Sequence, residues 1–261
     1  MAVQVCVLGS GSAGNCTYIG CGEEALLIDA GLSGRETERR LVEIGASLRR
    51  VKGVCVSHEH DDHTAGLGVL HRRHGIPLYA NSGTIDALRR DPRLEELPWR
   101  IFSTGAPFEV GGFRVEPFSV PHDAYDPVGF VVRAGGECRV GIVTDMGIPT
   151  TLVRERLRLC DVVVLEANHD EKLLQNARRP WALKQRILGR QGHLSNATAA
   201  NLMAEIAGSG LQQVFLAHIS ADCNREDLAL FTARQALERS GHGQVRVSAT
   251  YADRVSDVWL R

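Results

Sequence analysis

Within the run Ser57-His58-Glu59-His60-Asp61-Asp62-His63, three histidines and Asp62 crowd into six residues. The run leaves an apolar segment, Val54-Cys55-Val56, that reads as the end of a strand. In extended chain, side chains two residues apart point the same way. His58 and His60 therefore reach one metal position together. Where the chain turns into the next helix, Asp62 and His63 reach a second position close by. Imidazole and carboxylate donors suit zinc, and also manganese or iron. One histidine after a strand is ordinarily part of a solvated loop, but this density of ligands is a metal-site signal.

The flanking sequence supplies elements to hold such a site. Residues 3–8 alternate as a strand and stop at Gly9-Ser10-Gly11-Ser12. A short apolar run over 25–29 follows, and Ser33 caps a helix to about residue 44, with Glu36 at the capping-box position. A strand over 51–56 delivers His58; a helix over 62–73, a strand over 77–80 and a helix over 82–90 come next. The middle is strand-rich, at 108–110, 113–120, 128–134 and 139–144, with hairpin turns at Gly111-Gly112 and Gly135-Gly136. Later come helices over 151–159, 181–189, 196–207 and 225–239, and strands over 161–166, 213–217 and 244–249. Strands interleaved with helices in both halves predict an α/β protein with two mixed sheets packed together and helices outside.

Composition is that of an ordinary globular chain: 261 residues, 44% hydrophobic, 23% charged, net charge -1. No linker or repeat divides it, so a single domain over 1–261 is expected. Near-neutral charge advertises no global field for nucleic acid. No apolar run is long enough to span a bilayer, so no membrane role is expected. The seven scattered cysteines lack a Cys-x-x-Cys pair, and the start reads as a strand rather than a signal peptide, which points to the cytoplasm.

The pattern His58-x-His60-x-Asp62-His63 after a strand resembles the metallo-β-lactamase superfamily. That resemblance implies a four-layer αββα sandwich and three further ligands at strand ends. His122, Asp145 and His218 stand in the required order. It also implies that His58, His60 and His122 hold one divalent ion, that Asp62, His63 and His218 hold the other, and that Asp145 bridges them. Two close cations need a shared anion, and the open positions left over suit a water.

Further segments are similar to the YycJ/WalJ-type, ribonuclease Z-like group: Gly9-Ser10-Gly11-Ser12-Ala13-Gly14-Asn15, Thr144-Asp145-Met146-Gly147, Glu166-Ala167-Asn168-His169-Asp170, Gly192-His193-Leu194-Ser195-Asn196 and Leu216-Ala217-His218-Ile219-Ser220. The group implies a 5′-to-3′ DNA exonuclease in which His193 assists the phosphate and acts catalytically with Asp62 and Asp145. Asp61 departs from the group's usual small polar residue. His193 precedes a helix capped by Ser195 or Asn196; a helix start holds anions, although simple capping explains the same residues. Residues 178–193 carry Arg178, Arg179, Lys184, Arg186 and Arg190 with no acid, a basic approach for phosphates, with Arg186 as a contact and Trp181 as a stacking surface. The alternative is a solvated arginine-rich helix with Trp181 in the core. His169 is either at the rim of the site or structural. Competing functions are a thioesterase or lactonase with the same ligands, and a non-catalytic metal-binding regulator.

Overall fold

A computed structural model describes residues 1–208 and 210–261. The first sheet runs in the order β14-β1-β2-β3-β4-β5-β6. Its members are β1 (Val3–Gly9), β2 (Cys16–Cys21), β3 (Glu24–Ile28), β4 (Val51–Cys55), β5 (Leu78–Ala80), β6 (Trp99–Ile101) and the C-terminal β14 (Trp259–Leu260). The second sheet runs β13-β12-β11-β10-β9-β8-β7. It contains β7 (Phe108–Val110), β8 (Phe113–Ser119), β9 (Val128–Ala134), β10 (Cys138–Val143), β11 (Val162–Glu166), β12 (Gln213–Ala217) and β13 (Arg246–Ala249). Both sheets are mixed: β1-β2-β3 and β7 to β10 pair antiparallel, β3 to β6 and β10 to β13 parallel.

Strand alternation sorts the apolar side chains into three cores. Val5 and Val7 face the second sheet and pack with Phe130, Val164 and Phe215, while Cys6 and Leu8 face outward. The outer face of the first sheet is covered by α1 (Gly34–Glu43), α3 (Leu67–His74) and α4 (Ser82–Leu88), through Leu41, Leu70 and Ile85. The outer face of the second is covered by α5 (Thr151–Leu157), α8 (Asn196–Ile206) and α9 (Glu226–Arg239), through Val153, Met203 and Ala233. The result is the expected αββα sandwich, with both faces of each sheet buried.

Short helices α2 (Asp61–Thr64), α6 (Glu171–Asn176) and α7 (Trp181–Leu188) are carried on loops at one edge. The single helix expected over 62–73 is two, because the chain at Gly66 is drawn against the loop after β3. Gly66 N donates to Ala30 O at 2.7 Å, and a Cβ there would lie 2.1 Å from Leu32 O. Ser33 caps α1 as expected, but Glu36 does not close the capping box. Its carboxylate accepts from Arg39 and Arg40 instead. Gly111, Gly135 and Gly136 make the hairpin turns with positive φ. Among the described residues, no helix is long and apolar enough to cross a membrane, and all seven cysteines are free.

Candidate metal centre

The parallel arrangement puts the C-terminal ends of β3, β4, β10, β11 and β12 at one edge of the sandwich. β8, antiparallel to β9 as β10 is, ends there too. Each sequence-predicted ligand leaves one of these ends. Asp145 and His218 make the turn with positive φ, 55° and 54°, and Asp29, after β3, does so at 61°. Among the described non-glycine residues these are the ones with positive φ, and such strain concentrates at functional sites.

The structure brings together all seven predicted ligands. Nε2 of His58 lies 3.1 Å from Nδ1 of His60, and Nε2 of His122 lies 3.4 Å from the same atom. These three form one ligand group. Beside it, His63 Nε2 lies 2.9 Å from Asp145 Oδ2, and Asp62 Oδ2 lies 3.6 Å from both His63 Nε2 and His218 Nε2. The outward nitrogens are anchored. His58 Nδ1 meets Ser57 Oγ at 2.9 Å, His63 Nδ1 meets Asp29 Oδ2 at 2.8 Å, His122 Nδ1 meets Gly192 O at 3.2 Å, and His218 Nδ1 meets Glu166 Oε1 at 3.0 Å. A carboxylate or carbonyl accepting from one nitrogen fixes the tautomer that leaves the other free for a metal.

The electrostatics of the cluster are strong and pull its histidines in opposite directions. Burial holds His58 well below its ordinary pKa, the state a ligand requires. Burial opposes charge on His63, but Asp29 and Asp145 outweigh it and push its pKa well up. Burial disfavours the Asp145 carboxylate, yet His218 and His63 hold it well below the usual range. Asp145 Oδ2 and His218 Nε2 are buried without a hydrogen-bond partner. A carboxylate oxygen and an imidazole nitrogen, both lone-pair donors and both buried without a hydrogen-bond partner, fit a bound cation.

His193 stands beside this centre, partly open to a cavity of about 620 Å³ that also exposes His60, Asp62, His122, Asp145 and His218. Its Nδ1 donates to Glu166 Oε1 at 2.7 Å, and burial, which would lower its pKa, is outweighed by Glu166, so the pKa is raised. Glu166 is fully buried and accepts four hydrogen bonds: from His193 and His218 at Oε1, and from Met146 N and Leu194 N at Oε2. Sequence reasoning gave Glu166, Asp29 and Ser57 no role. The available signal was an acid ending an otherwise apolar strand, as in Val162-Val163-Val164-Leu165-Glu166.

Other expected contacts are not brought to the cavity. The Ser195 hydroxyl caps α8 by accepting from Thr198 N at 3.2 Å and bonds Glu171, while the buried Asn196 side chain pairs with Asn224 at 2.8 Å. Both side chains are engaged within the fold, and neither residue lines the cavity. Arg186 does line the cavity, paired to Asp123. The basic segment is partly neutralised: Arg179 pairs with Asp222 and Lys184 Nζ donates to Gln175 O. Trp181 is exposed, not in the core. His169 is buried away from the rim, with its carbonyl accepting from Asn196 N at 2.8 Å. Asp61 is exposed at the mouth, 3.6 Å from Arg93, and adds nothing to the ligand cluster.

The sequence matches the beta-lactamase superfamily domain over residues 24–219. The chain belongs to this family. It is 37% identical to Exodeoxyribonuclease YycJ of Bacillus anthracis over 246 residues, covering 93% of this chain and 92% of that protein. It is 34% identical to Exodeoxyribonuclease WalJ of Streptococcus pneumoniae, covering 91% and 89%. In fold it is similar to the metallo-beta-lactamase fold protein YhfI of Bacillus subtilis, with a TM-score of 0.75 at 16% identity over 100% of both chains. It is also similar to Zn(2+)-bound PqqB of Methylobacterium extorquens, with a TM-score of 0.70 at 18% identity, covering 98% of this chain and 100% of that one. Family and geometry agree on a metal-binding hydrolase fold.

Proposed function

We propose that this chain is a metal-dependent nuclease, a 5′-to-3′ DNA exonuclease of the cytoplasm, working as one domain with two divalent ions, zinc or manganese, with iron also suited to the donors. The observation that carries the reading is His193. A histidine held by a buried carboxylate beside a complete ligand set is arranged to serve a phosphate and its leaving oxygen. The exodeoxyribonuclease relatives, similar over nearly the whole chain, support the same substrate class.

His58, His60 and His122 would hold one ion, Asp62, His63 and His218 the other, with Asp145 shared. Bound there, the ions would supply Lewis acidity, activation of a water and charge for the phosphate oxygens. The protein does the rest. Asp29, Ser57 and Glu166 hold the ligand imidazoles in one tautomer. His193, whose protonated form Glu166 favours, hydrogen-bonds a phosphate oxygen or gives its proton to the leaving oxygen. Arg186, at the cavity wall, contributes a guanidinium for the backbone.

Metal analysis followed by digestion of end-labelled single- and double-stranded DNA and RNA tests the reading. The metal-loaded protein should release nucleotides from the 5′ end of DNA. Asp145→Ala should lose metal and activity together, and His193→Ala should lose turnover while keeping its metal. Hydrolysis of a thioester or lactone with no nucleotide released from any nucleic acid would overturn it.

A further inference from the structure

A second, open cavity, of about 660 Å³, adjoins the first. Asp123 and Arg186 line both, and they are joined to each other by an ion pair. The Asp123–Arg186 pair therefore stands at the boundary between the metal centre and this second space. We propose that the second cavity is a nucleotide subsite, which takes the sugar and base adjoining the scissile phosphate once that phosphate displaces Asp123 from Arg186. The proposal rests on the nuclease reading of the metal centre and deepens it.

The pair is built to exchange. The Arg186 side chain is 61% exposed, and exposed ion pairs contribute little to stability. A phosphate offers the guanidinium the same paired oxygens as a carboxylate does. Asp123 Oδ1 also lies 3.3 Å from His122 Nε2, so the pair reaches from a proposed metal ligand to the second cavity.

The lining chemistry fits a nucleotide. Pro121 and Ile148 are half-buried apolar surfaces suited to a base or sugar face. Thr150 Oγ1 accepts from Val153 N at 3.3 Å, which leaves its O–H to donate outward. Arg190 is exposed and, among the described residues, takes part in no ion pair, unlike Arg179 and Arg186 of the same segment, which leaves its guanidinium for the next phosphate along the strand. A few polar donors around apolar surface, in a space of this size, is the pattern of a small-ligand site, which spans ~300–1,000 Å³. The floor is fixed. Gly147 N donates to Pro121 O at 3.0 Å, Asp123 N donates to Gln191 O at 3.1 Å, and a Cβ on Gly147 would lie 2.4 Å from the Arg190 backbone.

Arg190→Ala in the metal-loaded protein tests this with two substrates, a single-stranded DNA oligonucleotide and bis(p-nitrophenyl) phosphate, which carries a phosphodiester but no nucleoside. The subsite predicts an oligonucleotide KM raised about tenfold, the loss of one charged contact. It also predicts a salt dependence of KM flatter by about 0.7 in log–log slope. Hydrolysis of the small diester should be unchanged, and Arg190→Lys should recover most of the oligonucleotide KM. An unchanged oligonucleotide KM, or equal losses on both substrates, overturns the subsite alone. Wild-type protein that hydrolyses the diester but no oligonucleotide overturns the nuclease reading, and the subsite with it.

Discussion

Replacing Glu166 by Gln keeps size and shape but removes half of the acceptor capacity of a carboxylate that receives four hydrogen bonds. The backbone donors Met146 N and Leu194 N cannot reorient, so the remaining amide oxygen stays with them. The new NH₂ then faces His193 Nδ1 and His218 Nδ1, at the positions where the carboxylate oxygen lay 2.7 and 3.0 Å away. Both rings must become acceptors there, which moves their protons to Nε2. On His218 that is the nitrogen left buried and unpartnered for a metal. Two charge-assisted hydrogen bonds at ~1.5–3 kcal/mol each amount to ~3–6 kcal/mol. At about 1.4 kcal/mol per decade, kcat/KM should fall ~10²–10⁴-fold. Without the carboxylate, the raised pKa of His193 also drops, so any alkaline limb of the pH–rate profile that depends on its proton should move to lower pH. The assay is single-stranded DNA digestion at saturating metal, with metal affinity and thermal unfolding measured in parallel. Activity within about threefold of wild type, with unchanged metal affinity, would refute the assignment of Glu166 as the group that orients both histidines.

Gly31→Ala should abolish metal binding and strongly destabilise the chain, because a Cβ there would lie 1.7 Å from Asp62 O and 2.6 Å from Asn15 N. Metal titration and denaturant unfolding check it, and a normal metal affinity would count against this packing. Glu36→Gln should cost stability mainly at neutral pH. Hydrogen bonds from Arg39 and the buried Arg40 hold the Glu36 carboxyl down to about 2 from 4.5, so its contribution is full above about pH 4.5 and is lost as pH falls toward 2. Urea midpoints of both proteins should therefore converge in acid, and a constant difference across pH would contradict the linkage.

The cluster of candidate ligands was legible because its signal is local. His58, His60, Asp62 and His63 are near neighbours in sequence, and His122, Asp145 and His218 each follow an apolar strand. What orients them was not, because Asp29 meets His63, and Glu166 meets His218, only when strands of one sheet align. Partner choice misled in the other direction. The run 178–193 reads as free positive charge, but Asp123 and Asp222 arrive from distant loops and take two of its arginines. The Ser195 and Asn196 side chains are not turned to the cavity, because a capping hydroxyl is spent on its own helix and Asn224 captures the neighbouring amide. β2 escaped notice because its residues are buried on both faces, which erases alternation.

The positive φ angles connect the fold to the chemistry. A residue that leaves a strand end with positive φ turns back at once toward the edge it has reached, and glycine makes that turn most easily but brings no side chain. Asp29, Asp145 and His218 make it regardless, at a cost of ~1–3 kcal/mol each. Hydrogen bonds found at the same turns offset part of this: Ser57 N and Oγ donate to Asp29, and Ser10 Oγ accepts from His218 N at 2.7 Å. Ser10 belongs to the glycine-rich loop after β1, and in that loop Asn15 Nδ2 also donates to Asp62 at 3.0 Å. That loop contributes none of the seven ligands. It holds residues from both sheets in place, the strained turn at His218 through Ser10 and Asp62 through Asn15, which explains why a Gly/Ser-rich segment far from the histidines in sequence belongs to the same site.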